Sequence, residues 1–166
     1  MKSQEQIQKM PEKYPGTVRL LNIDKTVLRF QYVVNHSLQK EIILKAGYQT
    51  IAERFFMHSI PTEAETEYAI NYIEDELMSS KELHNQGETL ISSDQHLTKL
   101  FRKNDLEKST YSRQDVEDLF SQYTYVVMGR LSSVKRSTVT REDFATILLL
   151  REITHHLDFG AINILG

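Results

Sequence analysis

Residues Thr140–Leu157, TREDFATILLLREITHHL, are the most hydrophobic helical stretch of the chain, and we expect the fold to be built around them. Thr140 and Asp143 have the T-x-x-D spacing of a helix N-cap, so a helix is predicted to begin here. The run is too short and too charged to cross a membrane, which predicts a helix buried on most sides. Its second half also carries the only local cluster of chemically versatile side chains: Arg151, Glu152, His155 and His156.

Length and composition restrict the class of protein. A chain of 166 residues is typical of one domain and can bury about 70% of its unfolded surface, so folding requires no disulfide or metal. The net charge of -3 is too small to indicate a polyanionic partner. The absence of cysteine excludes disulfides, thiolate catalysis and cysteine-ligated zinc. Because Met1–Met10 has no apolar leader and no stretch has the length of a membrane span, we expect a cytoplasmic protein without membrane contact.

The N-terminal part is predicted to hold a mobile arm, residues 1–16, followed by a small β element. Residues 17–35 allow two interpretations. Apolar residues alternate from Leu28 to Val34, which favours strands, but apolar residues from Leu20 to Val34 also fall at helical spacing. We favour an antiparallel hairpin that turns near Asn22–Lys25. The alternating tail Ile162–Leu165 could add a third strand. Because this C-terminal segment is apolar, we expect it either to pack into the fold or to belong to a longer chain.

Helices are predicted along the rest of the chain from periodicity and capping residues. The first predicted helix runs from Ser37 to about Met57, and the second follows the capping box of Thr62 and Glu65 and ends at about Ser79. A short helix follows Asp94, a fourth begins after Ser112 and Asp115, and the fifth is the stretch that begins at Thr140. Residues 79–93 have no sustained period and are predicted to be a long loop. The predicted fold class is α+β and mostly helical. About five helices pack around a central C-terminal helix, a small antiparallel β element lies at the N-terminus, and residues 17–166 form a single domain.

Arg151 and His156 stand in the form R-x-x-x-x-H. This pattern resembles the R-x4–6-H motif of HEPN-type helical ribonucleases and nucleotide-binding domains. In that family a compact helical bundle dimerises and presents Arg and His to an RNA phosphodiester. The resemblance implies that Arg151 binds phosphate and that His156 acts as acid or base, a pairing suited to phosphoryl transfer. The other interpretation is that Arg151 pairs with a carboxylate, while the histidines sit near the helix C-terminus, where positive charge is favourable.

Two further groups of side chains have the composition of a binding site. Glu152 and His155 have the E-x-x-H spacing of di-iron carboxylate bundles, but those sites use the pair twice and no second copy occurs in this sequence. No metal site and no cofactor are therefore predicted. A group of four cations around one interhelix link could hold a phosphate, although solvation is the simpler interpretation: Arg130, Lys135, Arg136 and Arg141.

The preferred functional hypothesis is a non-enzymatic binding or assembly module, because no complete catalytic set accompanies the helical patterning. The sequence also lacks a Gly-rich phosphate loop and the G-x-S-x-G and H-E-x-x-H motifs. We expect a homo-oligomer, with a further protein partner as a second expectation. The alternative is a HEPN-like, metal-independent ribonuclease or nucleotide-binding domain with Arg151 and His156 as the catalytic pair. Only this alternative predicts a nucleic-acid partner.

Overall fold

The computed structural model describes residues 14–130 and 138–165, together with Glu5, Ile7, Gln8 and Met10. The β-strands in these residues are β1 (Thr17–Ile23), β2 (Leu28–Val34), β3 (Ser37–Leu44), β4 (Thr89–Ser92), β5 (Thr110–Ser112) and β6 (Ala161–Ile164). The α-helices are α1 (Tyr48–Phe55), α2 (Glu63–Met78), α3 (Gln95–Lys103), α4 (Arg113–Val127) and α5 (Arg141–His156). A short 3-10 helix, Lys81–Leu83, follows α2.

All these strands join one six-stranded mixed sheet in the spatial order β3-β2-β1-β4-β6-β5. Strands β1, β2 and β3 pair antiparallel, β1, β4 and β6 run parallel, and β5 lies antiparallel to β6. The predicted fold class is therefore wrong, because the β part is not a small N-terminal element. The sequence pattern missed β4 and β5 because Thr89–Ser92 and Thr110–Ser112 are too short to show a period of two.

The helix predicted from Ser37 to Met57 is also corrected, since its first part is strand β3. Asn35 (φ 48°) and His36 (φ 64°) both adopt left-handed conformations, as the two central residues of a type I′ hairpin turn require. The turn sends Ser37–Leu44 back along β2. The helix begins only after Gly47, at Tyr48, so the helical spacing describes only the second part of the predicted segment.

The central position of the C-terminal helix is confirmed. Every side chain of α5 from Phe144 to Leu150 is buried, and the helix packs against α1, α2 and α4. Beneath these helices one face of the sheet contributes Leu21, Ile23, Leu28 and Phe30 to the same core. The opposite face carries a smaller core in which the described residues are Ile7, Met10, Val18, Leu20, Val33 and Ile91.

The helix caps predicted at Thr62, Ser112 and Thr140 are confirmed, whereas Ser37 begins a strand and caps no helix. Thr62 Oγ1 accepts a hydrogen bond from Glu65 N at 3.2 Å, and Glu65 Oε2 accepts one from Thr62 N at 2.9 Å, which completes a capping box at α2. Ser112 and Asp115 form the same arrangement at α4. At α5, Thr140 Oγ1 accepts from the Asp143 N–H at 3.0 Å. These local signals are readable from sequence because each involves residues only three positions apart.

Strand β1 carries a fully buried arginine, Arg19, which is 0% exposed. Its Nη2 donates to Glu88 Oε1 at 2.6 Å, its Nη1 donates to Leu83 O, and the guanidinium lies 3.8 Å from the centroid of the Tyr32 ring. Burial alone would raise the pKa of Glu88, but hydrogen bonds from Gln86 N and from Arg19 hold that pKa below its ordinary value. This ion pair joins β1 to the segment that precedes β4.

Part of what the sequence predicts lies outside the described residues. This applies to most of the arm predicted at residues 1–16, and to Lys135 and Arg136 of the cationic group. Another member of that group, Arg141, donates from Nη1 to Phe56 O at 2.8 Å. Within the part of the chain that the structure describes, no helix combines the length and the apolar character needed to cross a membrane.

Candidate functional site at the carboxyl ends of β1 and β4

Arg151, the first predicted site residue, is held by carboxylates. Its Nε donates to Glu117 Oε1 on α4 at 3.1 Å, and its Nη1 donates to Glu152 Oε1 at 2.5 Å. Burial alone would lower the pKa of Arg151, but the contacts with Glu152 and Glu117 raise it above its ordinary value. The guanidinium is therefore a paired cation between two helices. This agrees with the interpretation of the sequence in which Arg151 pairs with a carboxylate.

His156, the second predicted site residue, also faces carboxylates. Its Nε2 lies 2.9 Å from Glu152 Oε2 and 3.0 Å from Glu74 Oε1 on α2. His155, the member of the E-x-x-H pair, has an exposed side chain. The structure thus joins Glu152 to His156 rather than to His155. A catalytic role for Arg151 and His156 stays a prediction.

The topology of the sheet points to a different place for a ligand. After β1 the chain turns into β2 on one side, whereas after β4 it passes through α3 to β5 on the other side. The adjacent parallel strands β1 and β4 therefore form a topological switch point, and ligands of open α/β sheets bind outside the carboxyl ends of such strands. We call this region, with Asp24 after β1 and Asp94 after β4, the β1–β4 edge.

Asp94 organises one side of the β1–β4 edge. Its Oδ1 accepts from His96 N at 2.8 Å and caps α3, while its Oδ2 accepts from Ile23 N at 2.9 Å at the end of β1. One carboxylate therefore links the two parallel strands. It also fills the anion-binding position at the start of α3, where the free backbone N–H groups of a helix favour negative charge.

The turn between β1 and β2 closes the other helix start. Lys25 O accepts from Gln49 N at 2.9 Å and from Thr50 N at 3.2 Å, so the turn satisfies the free N–H groups of α1. This contact depends on Gly47, since a Cβ at that position would lie 2.3 Å from Lys25 O and from Thr26 N. Neither α1 nor α3 thus offers an unoccupied N-terminus to a phosphate.

Side chains from three helices meet at the same edge. The Tyr48 ring of α1 stacks on the His96 ring of α3 with centroids 4.0 Å apart. His96 Nε2 lies 2.8 Å from Thr146 Oγ1 of α5, which itself donates to Glu142 O. The contact with Thr146 holds Nε2 of the ring in place. The imidazole connects the sheet edge to the central helix.

Three carboxylates act electrostatically on the Tyr48 hydroxyl. Burial raises the pKa of Tyr48 above its ordinary value, and the nearby charges of Asp94, Asp24 and Glu142 raise it further. The phenol therefore remains protonated at neutral pH and can donate a hydrogen bond. Carboxylates can accept a proton from water, so the edge combines a hydrogen-bond donor with groups that can act as general bases.

Sequence reasoning missed this site because it missed β4. Asp94 was recognised only as a helix cap, and residues 79–93 were predicted to be a loop. The available signal was an acidic residue soon after each of two strands, Asp24 directly after β1 and Asp94 two positions after β4. That signal acquires meaning only once β1 and β4 are known to be parallel neighbours.

Comparison with known proteins finds no matching family model and no matching curated protein sequence. Solved structures do match. A Ppx/GppA phosphatase from Aquifex aeolicus is 14% identical with a TM-score of 0.71, and the match covers 92% of this chain and 54% of that one. An exopolyphosphatase-like protein is 9% identical with a TM-score of 0.74, covering 98% and 60%. An exopolyphosphatase from Cytophaga hutchinsonii is 16% identical with a TM-score of 0.69, covering 98% and 56%.

These likenesses show that the chain has the actin-like fold of the Ppx/GppA structures, and that it spans between 54% and 60% of the length of those three chains. They also correct both functional hypotheses. The preferred non-enzymatic binding module is overturned because the structures that share the fold are named as phosphatases or as phosphatase-like. The HEPN-like alternative is overturned because the chain is built on a mixed sheet rather than a helical bundle.

Proposed function

We propose that this chain is one domain of a phosphatase-type enzyme that hydrolyses the terminal phosphoanhydride bond of inorganic polyphosphate. The observation that carries the proposal is the match of 92–98% of the chain to structures named as phosphatase, exopolyphosphatase-like protein and exopolyphosphatase. The β1–β4 edge supports it independently, because its position is where α/β sheets bind ligands and its side chains suit hydrolysis.

The proposed chemistry uses the carboxylates at this edge as proton acceptors. A water molecule attacks the terminal phosphorus, its proton passes to the Asp24 or Glu142 carboxylate, and the shortened polyphosphate leaves with the electrons of the broken P–O bond. The protonated Tyr48 hydroxyl donates to a phosphoryl oxygen as negative charge redistributes in the transition state. Asp94 is the positioning residue, since it holds the ends of both strands.

The charge of the β1–β4 edge sets a condition on this mechanism. Apart from Lys25, and from Arg29 with its Nε 3.9 Å from Asp24 Oδ2, a polyphosphate approaching Asp24, Asp94 and Glu142 meets negative charge. The starts of α1 and α3 are already occupied. The transferred phosphoryl group needs cations around its oxygens. We therefore propose that a second domain or subunit supplies them, which agrees with the chain spanning little more than half of the matched structures.

The test measures phosphate release from polyphosphate by the full-length protein and its variants. Asp24→Asn and Glu142→Gln keep the size of each side chain but remove its basicity, and loss of the general base should lower kcat by about 10²–10⁴-fold. Glu67→Gln, on the exposed face of α2, is the matched control and should retain the wild-type rate. Absence of phosphate release by the wild type, or full activity in both edge variants, would refute the proposal.

Location and assembly remain part of the proposal. A cytoplasmic protein agrees with a chain that contains no cysteine, because reducing compartments do not support disulfides. Homo-oligomerisation stays a prediction and would be one way to bring a second set of cations to the β1–β4 edge. Sedimentation equilibrium of the purified protein measures it directly.

A further inference from the structure

A cluster of glutamate and histidine side chains, which are common metal ligands, lies between α2 and α5 and apart from the β1–β4 edge. Glu74, Glu152 and His156 each present one ligand atom, and these three atoms lie within 4.8 Å of one another. On α5, His156 is fourteen residues beyond Glu142, which corresponds to about 21 Å along a helix that rises about 1.5 Å per residue. The cluster is therefore a distinct place on the molecule.

Glu152 is the unusual member of this cluster. Its side chain is 0% exposed, and Arg151 donates only to its Oε1. Its Oε2 has no hydrogen-bond partner, although His156 Nε2 is 2.9 Å away. The separation satisfies an ion pair, but the direction does not satisfy a hydrogen bond. A buried carboxylate oxygen is costly to leave unpaired, so Oε2 is available to bind a further group.

The charges around Glu152 also favour a cation. The guanidinium of Arg151 pairs with Glu117 and Glu152, and the carboxylate of Glu74 lies beside Glu152. Together these groups leave a net negative charge in a partly buried setting. Burial of uncompensated charge is unfavourable, whereas one bound dication would balance the group.

The spacing of the ligand atoms fits a small metal ion. Zn–N and Zn–O bonds of about 2.0–2.2 Å in a tetrahedron place ligand atoms about 3.3–3.6 Å apart. The separations from His156 Nε2, 2.9 Å to Glu152 Oε2 and 3.0 Å to Glu74 Oε1, are slightly shorter. The His156 and Glu74 side chains are 25% and 38% exposed, so both can shift by the few tenths of an ångström required while the buried Glu152 stays in place.

We propose that Glu74, Glu152 and His156 form a binding site for a divalent transition metal of the Zn²⁺ type. Imidazole nitrogen selects this class over Mg²⁺ and Ca²⁺, which prefer oxygen ligands. Three protein ligands leave a fourth position for water, which the partly exposed side chains of Glu74 and His156 can admit. Arg151 serves as the outer partner that orients Glu152, and Glu117 in turn fixes Arg151.

The proposed site connects helices that are far apart in sequence. Glu74 belongs to α2, whereas Glu152 and His156 belong to α5. Metal binding would therefore stabilise the folded chain, because the ligands converge only in the native state. This consequence gives a readout that does not depend on phosphatase activity.

The experiment uses untagged full-length protein that has been treated with chelator and dialysed. Calorimetric titration with Zn²⁺ should show one site, and Co²⁺ in its place should give the visible absorption of a tetrahedral complex. At a Zn²⁺ concentration one hundred times Kd, the melting temperature should rise by roughly 5–11 °C. Mg²⁺ at the same concentration should give no binding heat and no change in melting temperature.

Variants decide whether the named residues carry the binding. His156→Ala and Glu74→Gln should each weaken Zn²⁺ binding by at least tenfold and, at the same Zn²⁺ concentration, reduce the rise in melting temperature to about half or less. His155→Ala, which removes the adjacent exposed histidine, and Asp75→Asn, which removes an exposed neighbour of Glu74, are the matched controls and should bind like wild type. Because Glu74 and His156 are partly exposed, their variants are expected to fold even if Glu152→Gln does not.

The outcomes separate a built site from adventitious binding. The proposal is overturned if wild-type protein binds no Zn²⁺, if Mg²⁺ competes equally, or if His156→Ala binds as tightly as His155→Ala. Loss of binding in the cluster variants but not in the controls supports it. Since Asp24 and Glu142 are untouched, failure of this proposal would leave the phosphatase assay unaffected, and the reverse holds as well.

Discussion

Substitution of Gly47 by alanine should destabilise the protein because of a close backbone approach. A Cβ at this position would lie 2.3 Å from Lys25 O and from Thr26 N, whereas ordinary contacts are at about 3.5–4.0 Å. The turn must therefore retreat by more than about 1 Å. Gly47 has a φ of -77°, so the expected effect comes from the contact and not from backbone conformation.

The magnitude follows from the hydrogen bonds that this retreat would break. Three backbone bonds join the turn to α1: Tyr48 N to Asp24 O at 3.1 Å, and Gln49 N and Thr50 N to Lys25 O at 2.9 and 3.2 Å. At about 0.5–1.5 kcal/mol each, their loss costs about 1.5–4.5 kcal/mol. The gain of about 0.4–1 kcal/mol from a stiffer unfolded chain offsets only part of this.

The assay is thermal unfolding of Gly47→Ala beside Gly160→Ala. A Cβ at Gly160 meets nothing within 4 Å, so that variant controls for the loss of a glycine alone. The net cost in free energy of unfolding is about 1–4 kcal/mol. A cost in the middle of this range lowers the melting temperature by roughly 5–10 °C. Equal melting temperatures for the two variants would show that the turn does not press on the start of α1.

Three further expectations concern acid stability, the core and a helix cap. Because the pKa of Glu88 is lowered in the folded state, its ionised form contributes stability that is fully present above the ordinary value of 4.5 and is lost as pH falls through the lowered pKa. Glu88→Gln should remove that acid dependence, which urea unfolding across pH measures. At neutral pH the substitution should cost about 3–5 kcal/mol, because it leaves Arg19 buried without its carboxylate partner. Leu148→Ala, at a fully buried position of α5, should cost about 2–5 kcal/mol by chemical unfolding. Thr62→Ala should cost about 0.5–2 kcal/mol and raise hydrogen exchange at residues 63–68.

Matched controls exist for these variants. Glu67→Gln removes an exposed carboxylate and should leave the acid limb of the unfolding profile unchanged. Leu38→Ala truncates a leucine that is 41% exposed and should cost far less than Leu148→Ala. A Leu148 variant as stable as its control would mean that α5 is not the core, and unaltered exchange after Thr62→Ala would contradict the observed start of α2.

The comparison between sequence and structure shows which physical signals are local. The caps of α2, α4 and α5 were predicted correctly because each hydrogen-bonded pair spans three residues. The burial of α5 was also predictable, since its apolar run leaves no polar face. By contrast, Ser37 resembles a helix cap when the left-handed pair Asn35 and His36 before it is not recognised as a turn.

The candidate sites were beyond a sequence prediction for a related reason. Asp24 and Asp94 meet only through the parallel pairing of β1 with β4, and that pairing leaves no periodic trace in a strand as short as Thr89–Ser92. Likewise, the partner of Glu152 and His156 is Glu74 on another helix. The sequence motif therefore named His156 for one chemistry, while its three-dimensional neighbours suit another.

The order of the strands has a consequence for synthesis of the protein on the ribosome. Strand β6 lies between β4 and β5, although Ala161–Ile164 follows every other strand in the chain. The β1–β2–β3 meander can pair as soon as it emerges, but β5 has no neighbour in the sheet except β6. Translation proceeds at about 5–20 residues per second, so several seconds pass before β6 is available to pair with β5 and with the free edge of β4. We expect this interval to be when the nascent chain is most open to chaperone binding or to pairing with a strand from another molecule.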